Sequence, residues 1–112
     1  MSFPSKSSGA AASSGTMASA TRTATTSGAV TAADATVLIG TTVANTQTLP
    51  PAASVKGSIF TFKKVMNNAN NATVKASGSE LIDGFNAIDL MSQYEVVSVQ
   101  SNGVSYDVLY RG

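Results

Sequence analysis

The sequence contains no histidine, no cysteine and no tryptophan. Without cysteine it can form neither a disulfide nor a thiolate nucleophile, and without Cys and His it lacks the usual ligands of a zinc site. The absence of histidine also removes the commonest general base and excludes a Ser/His/Asp triad. We therefore expect no enzymatic activity, no cofactor and no metal.

Charged side chains are scarce as well, at 12% of the residues, which is about half of the usual share. The formal net charge is +1, so bulk electrostatics do not favour nucleic acid as a partner. So small a number of charges, together with many Thr, Ser, Ala and Asn residues, indicates a surface that is partly covered by other proteins.

Long apolar runs are missing too. No stretch approaches the roughly 20 apolar residues that a membrane-spanning helix needs, and no membrane partner is predicted. Residues 2–33 have no continuous apolar core, so a secretory signal peptide is not expected, although Ala-Ser-Ala at residues 18–20 resembles a cleavage site. Neither glycine-rich phosphate-binding motif, GxxxxGK[ST] or GxGxxG, occurs.

The composition of the sequence changes near residue 33. Residues 1–33 consist almost entirely of Ser, Ala, Thr and Gly. Ordering a residue costs about 1–2 kcal/mol of chain entropy, which so little apolar surface cannot offset. We therefore predict a low-complexity arm over residues 1–33 that becomes ordered only against a partner. The arm residues expected to contact that partner are its charged and large apolar side chains, Phe3, Lys6, Met17, Arg22 and Val30.

Residues 34–112 are predicted to form a β domain. Segments rich in β-branched, aromatic and alternating residues predict strands at 35–43, 57–65, 72–76, 86–91, 94–100 and 104–110. Residues 45–54 are predicted to be a connection, because Pro50 and Pro51 cannot donate ladder hydrogen bonds. Asn102-Gly103 between the last two strands predicts a hairpin.

These segments favour an all-β fold, a compact antiparallel β-sandwich or barrel-like, jelly-roll-like domain with an extended N-terminal arm. In the segment 57–65, Phe60 and Phe62 share one face while Ile59, Thr61 and Lys63 share the other. Several strands carry apolar or small uncharged residues on both faces. One face is then expected to pack inside the domain and the other against a neighbouring chain, so Tyr94, Tyr106 and Tyr110 are predicted to pack between subunits.

The segment ASGSELIDGFNAIDL, residues 76–90, holds the best candidates for chemistry. Glu80 and Asp83 are a carboxylate pair of the kind that glycosidases use, but they lie three residues apart across turn sequences. We interpret them as turn residues, with Glu80 accepting backbone N–H groups. Asp83, Asn86 and Asp89 lack the spacing of a calcium loop and are interpreted as solvated or turn-bonding side chains.

The remaining candidates are lysines and tyrosines. Lys63 and Lys64 end a predicted strand and are candidates for contact with phosphate or with an acidic protein surface, with water as the default neighbour. The three tyrosines are alternatively a stacking platform for a sugar, although packing is the more frequent role of such residues.

The β region resembles a recurrent β module of tailed-bacteriophage virion proteins, found in capsid decoration (cement), head-fibre and tail-fibre proteins. The resemblance covers roughly residues 41–110. It rests on a series of short motifs in a fixed order, Leu49-Pro50, Gly57 through Lys64, Thr73-Val74, Gly78 to Gly84 with its G-x-E-x-I-D-G pattern, Leu90, Tyr94 to Val99, and Ser101 to Tyr106.

This resemblance implies a structural or attachment role, usually as a homotrimer. Because the module makes up nearly the whole chain, with no shaft, it implies a decoration protein on the capsid surface of the virion whose partner is the major capsid protein. The partner contacts expected within the module are Lys63 and Lys64. The alternative is a fibre or spike module of the head or tail that binds a host surface glycan.

Overall fold

The computed structural model describes residues 20–40 and 42–112. Over these residues the chain forms nine β-strands, a single 3-10 turn at Ala52–Ser54 and no α-helix, so the predicted all-β class is confirmed. The strands are β1 Ala20–Ala24, β2 Gly28–Ala29, β3 Asp34–Ile39, β4 Asn45–Thr48, β5 Ile59–Lys64, β6 Ala72–Lys75, β7 Ala87–Leu90, β8 Val96–Ser101 and β9 Tyr106–Arg111.

The strands form two mixed sheets. The five-stranded sheet has the order β1-β3-β5-β8-β9, and the four-stranded sheet has the order β2-β4-β6-β7. From β1 to β6 the chain alternates between the sheets, so β1, β3 and β5 are parallel in one and β2, β4 and β6 are parallel in the other. The predicted antiparallel arrangement is therefore wrong for the pairings among these six strands, because each connection crosses to the other sheet and returns in the same direction.

Antiparallel pairing is confined to the C-terminal part, between β5 and β8, β6 and β7, and β8 and β9. The last pair is the predicted hairpin, which closes through a four-residue loop at 102–105. The Asn102 side-chain oxygen accepts the N–H groups of Val104 and Ser105, both at 2.9 Å, and Gly103 adopts a φ of 93°. A residue without a β-carbon suits that left-handed conformation.

One hydrophobic core draws side chains from both sheets. In the five-stranded sheet Val37, Phe62 and Val97 lie in register across β3, β5 and β8, and all three are fully buried. Phe60 is buried on the same face, while Ile59 and Thr61 face outward, as predicted for this segment. Burying each such large apolar side chain contributes roughly 1.5–3 kcal/mol.

β4 lies where a connection was predicted. Its inward residues are Asn45 and Gln47, both fully buried, and its outward residues are threonines. An alternation of amide and hydroxyl side chains carries no apolar signal, which explains why the strand was missed. Pro50 and Pro51 do lie beyond the end of the strand, as predicted.

Residues 20–30 contain β1 and β2 and the turn between them, and we call this segment the first coil. It belongs to the two sheets and not to a separate arm. β1 pairs with β3, β2 pairs with β4, and Val30 is buried in the core. The predicted boundary at residue 33 thus falls inside the folded unit of the structure. The physical reason is hydrogen bonding to β3 and β4, which the low apolar content of this segment did not reveal. Residues 1–19 of the predicted arm lie outside the described residues.

Side chains of β4 hold the first coil in place. The Asn45 amide donates to the Ala24 carbonyl oxygen at 3.2 Å, and the Gln47 amide donates to the Thr26 carbonyl oxygen at 2.9 Å and to Asn45 Oδ1 at 2.7 Å. The backbone bond from Val30 N to Thr48 O, at 2.8 Å, continues this attachment. Buried amides that are fully paired in this way fix the position of the coil.

An ion pair closes the same end of the core. Arg22 donates from Nε and Nη2 to the two carboxylate oxygens of Asp34, at 3.0 and 3.2 Å, and from Nη2 to Gln47 Oε1 at 3.3 Å. Burial alone raises the pKa of the Asp34 carboxyl. Hydrogen bonds from Arg22 and from the Thr31 N–H, together with the charge of Arg22, outweigh that effect and hold the pKa of Asp34 below its usual value.

We predict that Gln47→Ala lowers the free energy of unfolding by about 1–3 kcal/mol, because it leaves buried polar groups of the first coil without partners. Urea unfolding measures the loss, and amide hydrogen exchange should show faster exchange in residues 20–30. Gln100→Ala is the matched control, since Gln100 makes one exposed bond to the Gly57 carbonyl. Equal losses for the two variants would contradict the role of Gln47.

The Arg22–Asp34 pair predicts acid sensitivity. Because the pKa of Asp34 is lowered in the folded state, its ionised form stabilises the fold above about pH 4, and this stabilisation is lost as the pH falls through the folded pKa. Asp34→Asn should therefore be less stable at pH 7 but lose less stability between pH 5 and pH 2 in urea titrations. The control variant Asp107→Asn keeps the Arg22–Asp34 pair and should lose as much stability between pH 5 and pH 2 as the wild type. An unchanged acid loss in Asp34→Asn would refute the assignment.

Candidate interaction face

The outward side chains of the five-stranded sheet form a continuous surface, which we call the outer face. Its central row lies in register across all five strands, and a second row lies in register across four of them. The central row consists of Thr21, Thr36, Thr61, Ser98 and Tyr110, the second row of Thr23, Leu38, Lys63 and Val96, and a shorter third row of Ile59, Gln100 and Asp107.

The outer face has little charge and several exposed apolar groups. Its charged members are Lys63 and Asp107, which lie in rows on opposite sides of the central row. Ile59 is 48% and Tyr110 is 60% exposed, and Leu109, which has no partner in the register, is also exposed. Alternation in the segment 57–65 places Ile59 on this face, and that pattern is the signal from which its exposure was predictable.

Two hydroxyl groups in the central row of the outer face bond to each other. Thr61 Oγ1 and Ser98 Oγ lie 2.8 Å apart in a hydrogen bond between neighbouring strands. Covering a hydroxyl group costs free energy only when it is left without a hydrogen bond. This part of the face can therefore lose water at low cost.

The outward face of the four-stranded sheet has a different composition. Its rows consist of Thr46, Thr73 and Asp89, and of Thr48, Lys75 and Ala87. It carries a hydrogen bond of 2.6 Å from Thr73 Oγ1 to Asp89 Oδ1 and no large apolar side chain in these rows. Of the two sheet surfaces, the outer face of the five-stranded sheet is thus the one suited to packing.

The size of the outer face is consistent with part of a protein interface. Five strands spaced about 4.8 Å apart span roughly 20 Å, and three rows about 6.7 Å apart span roughly 13 Å, before side chains are added. These dimensions give about 260 Å², roughly a third of the 800 Å² or so that each partner contributes to a standard interface, so the outer face has the size of one part of such an interface.

Of the two predicted contact lysines, Lys63 is on this face and Lys64 is not. Lys64 is fully buried, and its Nζ donates to the carbonyl oxygens of Asn68 at 2.8 Å and Met91 at 2.7 Å. The prediction that Lys64 contacts a partner is therefore wrong, because its ammonium group is used to join two loops within the chain. Lys63 is partly exposed, and its Nζ lies 5.2 Å from the ring centre of Tyr94.

The predicted contacts of the arm divide in a similar way. Val30 is buried in the core, so its side chain is not available to a partner, and the prediction for this residue is wrong. Arg22 is partly exposed but is engaged with Asp34 and Gln47. Phe3, Lys6 and Met17 lie outside the described residues.

The three tyrosines also differ. Tyr106 is fully buried, its ring centre lies 6.5 Å from that of Phe60, and its hydroxyl donates to the Pro50 carbonyl oxygen at 2.6 Å. Its predicted role in packing between subunits is therefore wrong, because its ring fills the core of its own chain. Tyr94 and Tyr110 are each 60% exposed and remain candidates for such contacts.

Glu80 and Asp83 line a shallow cleft of about 500 Å³ beside Tyr106. Glu80 Oε1 accepts the Ala52 N–H at 3.0 Å, which is the backbone-bonding role predicted for it, and Asp83 Oδ1 accepts the Val108 N–H at 3.2 Å. Burial, together with the charge of Glu80, raises the pKa of Tyr106 to about 12, so its hydroxyl remains a donor at neutral pH. The cleft groups thus act as hydrogen-bond partners of the surrounding backbone.

The candidate calcium ligands are also used within the fold. The Asn86 amide donates to the carbonyl oxygens of Gly78 and Glu80, at 3.0 and 2.8 Å, and the carboxylate of Asp89 accepts the bond from Thr73. In the part of the chain that the structure describes, no three His, Cys, Asp or Glu side chains are grouped so that they could hold a metal ion.

Comparison with known proteins adds no identification. No family model, no curated protein and no solved structure matches the chain. A search of residues 20–40 and 42–112 for a long apolar helix that could cross a membrane found none.

The adjacent lysines provide a test of these assignments. Lys64→Met should lower the free energy of unfolding by about 1–3 kcal/mol, because it leaves two carbonyl oxygens without their donor. Lys63→Met, the matched control one residue earlier, should change it by less than about 0.5 kcal/mol. Chemical denaturation of the three proteins measures both values. A larger loss in Lys63→Met than in Lys64→Met would show that the assignments are reversed.

Proposed function

We propose that this chain is a capsid decoration (cement) protein of a tailed bacteriophage. In this proposal the two sheets form a compact sandwich, and the outer face of the five-stranded sheet lies against neighbouring protein on the surface of the shell. The major capsid protein is the proposed partner, and a homotrimer at a junction between capsid subunits is the proposed assembly.

The observation that carries the proposal is the segregation of surface chemistry between the two sheets. The outer face has exposed apolar side chains at Ile59, Leu109 and Tyr110 and only two charged residues. Depletion of charge and enrichment in aromatic residues are typical of the centre of a protein interface. The resemblance of residues 41–110 to a β module of phage virion proteins supplies the particular kind of partner.

A decoration protein stabilises its shell by mass action. A ligand that binds the assembled shell and not its dissociated subunits shifts the equilibrium toward the shell by a free energy that grows with its affinity and concentration. Many low-affinity contacts repeated over a symmetric surface are enough for this effect. Such a role requires a stable surface and no reacting group, which agrees with the structural use of Glu80 and Asp83.

The segment proposed to contact the shell as an extended arm is shorter than the predicted arm of residues 1–33. Residues 20–33 are part of the folded unit, where β1 and β2 pair with β3 and β4. Residues 1–19, with Phe3, Lys6 and Met17, are the segment proposed to run along the shell.

The second candidate function, a head or tail fibre module that binds a host glycan, is favoured by one feature. Tyr94 borders a shallow groove of about 460 Å³ that is also lined by Gln93, Glu95 and Arg111. An exposed aromatic ring beside hydrogen-bonding side chains is a general arrangement for contact with a ring-shaped polar ligand. Tyr106 does not contribute to it, because that ring is buried.

We predict that Tyr110→Glu weakens binding to purified expanded capsids of the encoding phage at least tenfold, because it places an unpaired carboxylate in the covered surface. Co-sedimentation of the protein with shells measures the occupancy. Ala87→Glu is the matched control, a glutamate on the edge strand of the other sheet, and should bind as the wild type does. Wild-type protein that does not bind shells would refute the proposed function, and equal weakening in both variants would refute the assignment to the outer face.

A further inference from the structure

The turn that leads into β8 places a tyrosine where the backbone favours glycine. Glu95 N donates to Ser92 O at 3.1 Å, which makes residues 92–95 a β-turn, and Tyr94, its third residue, has a φ of 69°. A positive φ at this position is the type II arrangement, which normally takes Gly or Asn. The other described non-glycine residue with positive φ is Asp83, a residue type that tolerates this region.

The side chain of Tyr94 is not what holds this turn. Tyr94 N donates to Lys64 O at 2.6 Å, and the Glu95 carboxylate accepts the N–H groups of Met91 and Ser92 at 2.9 and 3.1 Å. Gln93 Nε2 donates to Val65 O at 3.3 Å. All of these bonds would form equally well with glycine at position 94. The conformational cost of tyrosine is therefore not repaid within the turn.

Compared with glycine at position 94, tyrosine places an exposed ring beside the ammonium group of Lys63, which forms no ion pair with the described carboxylates. The ring is 60% exposed, and Lys63 Nζ lies 5.2 Å from its centre. None of the described carboxylates lies within ion-pair distance of Lys63, since the described ion pairs are those of Arg22 with Asp34 and of Arg111 with Glu95. Lys63 belongs to the second row of the outer face, so Tyr94 stands at the rim of that face.

We propose that Tyr94 and Lys63 form one recognition element for a carboxylate-bearing protein surface. An acidic side chain of the partner pairs with the Lys63 ammonium group, while its neighbouring apolar atoms pack on the Tyr94 ring. This inference rests on the proposed function, because it names the chemistry of the partner surface at the edge of the same face. Within the chain the Tyr94 ring contacts the ammonium group of the partly exposed Lys63 and takes no part in the hydrogen bonds of its turn. A non-glycine residue in a strained backbone conformation points to a function of its side chain, and tyrosines are frequent among residues that dominate binding.

The strain is tested without any partner, by comparing Tyr94→Gly with Tyr94→Ala. Both variants lose the ring, so their difference isolates the backbone. We expect the Gly variant to have the higher Tm, by about 3–6 °C. At Gln93, whose φ is not positive, the order should reverse, because glycine is ordinarily the more costly residue. A Tyr94→Ala variant that melts at or above the Gly variant would overturn the argument from strain.

The recognition element is tested by co-sedimentation with capsid shells. We expect at least tenfold weaker binding for Tyr94→Gly and for Lys63→Glu, and near wild-type binding for Tyr94→Phe, which keeps the ring. The defect of Lys63→Glu should be larger at 50 mM than at 500 mM NaCl, because salt screens the interaction. Wild-type binding by Tyr94→Gly would overturn the inference and leave the proposed function standing.

Two further outcomes separate the two proposals. Absence of binding by the wild-type protein would remove the proposed function and, with it, the proposed partner of Tyr94, while the comparison of melting temperatures would still decide the strain. Specific binding of the wild-type protein to a panel of immobilised glycans, lost in Tyr94→Gly, would overturn the carboxylate-bearing protein as the partner and assign the ring to a saccharide.

Discussion

The folded state of the N-terminal region depends on two buried carboxamides. Asn45 and Gln47 occupy inward positions of β4 where a strand of this kind normally carries Val or Ile, and both are fully buried. They donate to the Ala24 and Thr26 carbonyl oxygens of the first coil. A buried amide without a partner costs about 1–3 kcal/mol. These two amides are therefore satisfied only with the first coil in place, and they add to the backbone pairing of β1 with β3 and of β2 with β4 that holds the coil.

Ion pairs lie at the two edges of the five-stranded sheet, and few charged side chains lie on its outer face. Arg22 and Asp34 cover one edge beside Gln47, while Arg111 bonds to the Asp89 carbonyl oxygen and to Glu95 at the opposite edge. Four of the charged residues in the described part of the chain are used in these positions. The outer face of the five-stranded sheet keeps threonines, serines and apolar groups, which is why we place the interaction there.

Much of the fold was predictable where alternation involves apolar residues. The segment around Phe60 and Phe62, the strands at 72–75 and 87–90 and the final hairpin all follow from that pattern and from turn sequences. β1 and β4 were not predicted, because their buried positions carry small or amide side chains whose partners come from distant parts of the chain. β2 was not predicted because it consists of two small, exposed residues. The parallel pairing was not predicted either, since the sequence does not show that each connection crosses between sheets.

The candidate site was predictable only in part. Lys64 lies two residues after Phe62 and four after Phe60, so the alternation of the strand places it on the same, buried face. Its charge nevertheless led to the prediction that it is exposed. Its burial is possible because the Asn68 and Met91 carbonyl oxygens meet its ammonium group. No sequence pattern distinguishes Tyr94 from Tyr106. Their roles differ because Tyr94 has a positive φ in an exposed turn, whereas the ring of Tyr106 packs in the core beside Phe60.

The sequence by itself determined the all-β class, the faces of β5, the final hairpin and the absence of Cys and His chemistry, because local alternation, turn residues and composition are properties of neighbouring residues. The tertiary structure alone decided that residues 20–33 fold with the rest, which lysine and which tyrosines face solvent, and where the uncharged face lies. Those features depend on hydrogen bonds between groups some 20 to 60 positions apart, such as Gln47 with Thr26 and Tyr106 with Pro50, and the sequence does not encode such distances in any local pattern.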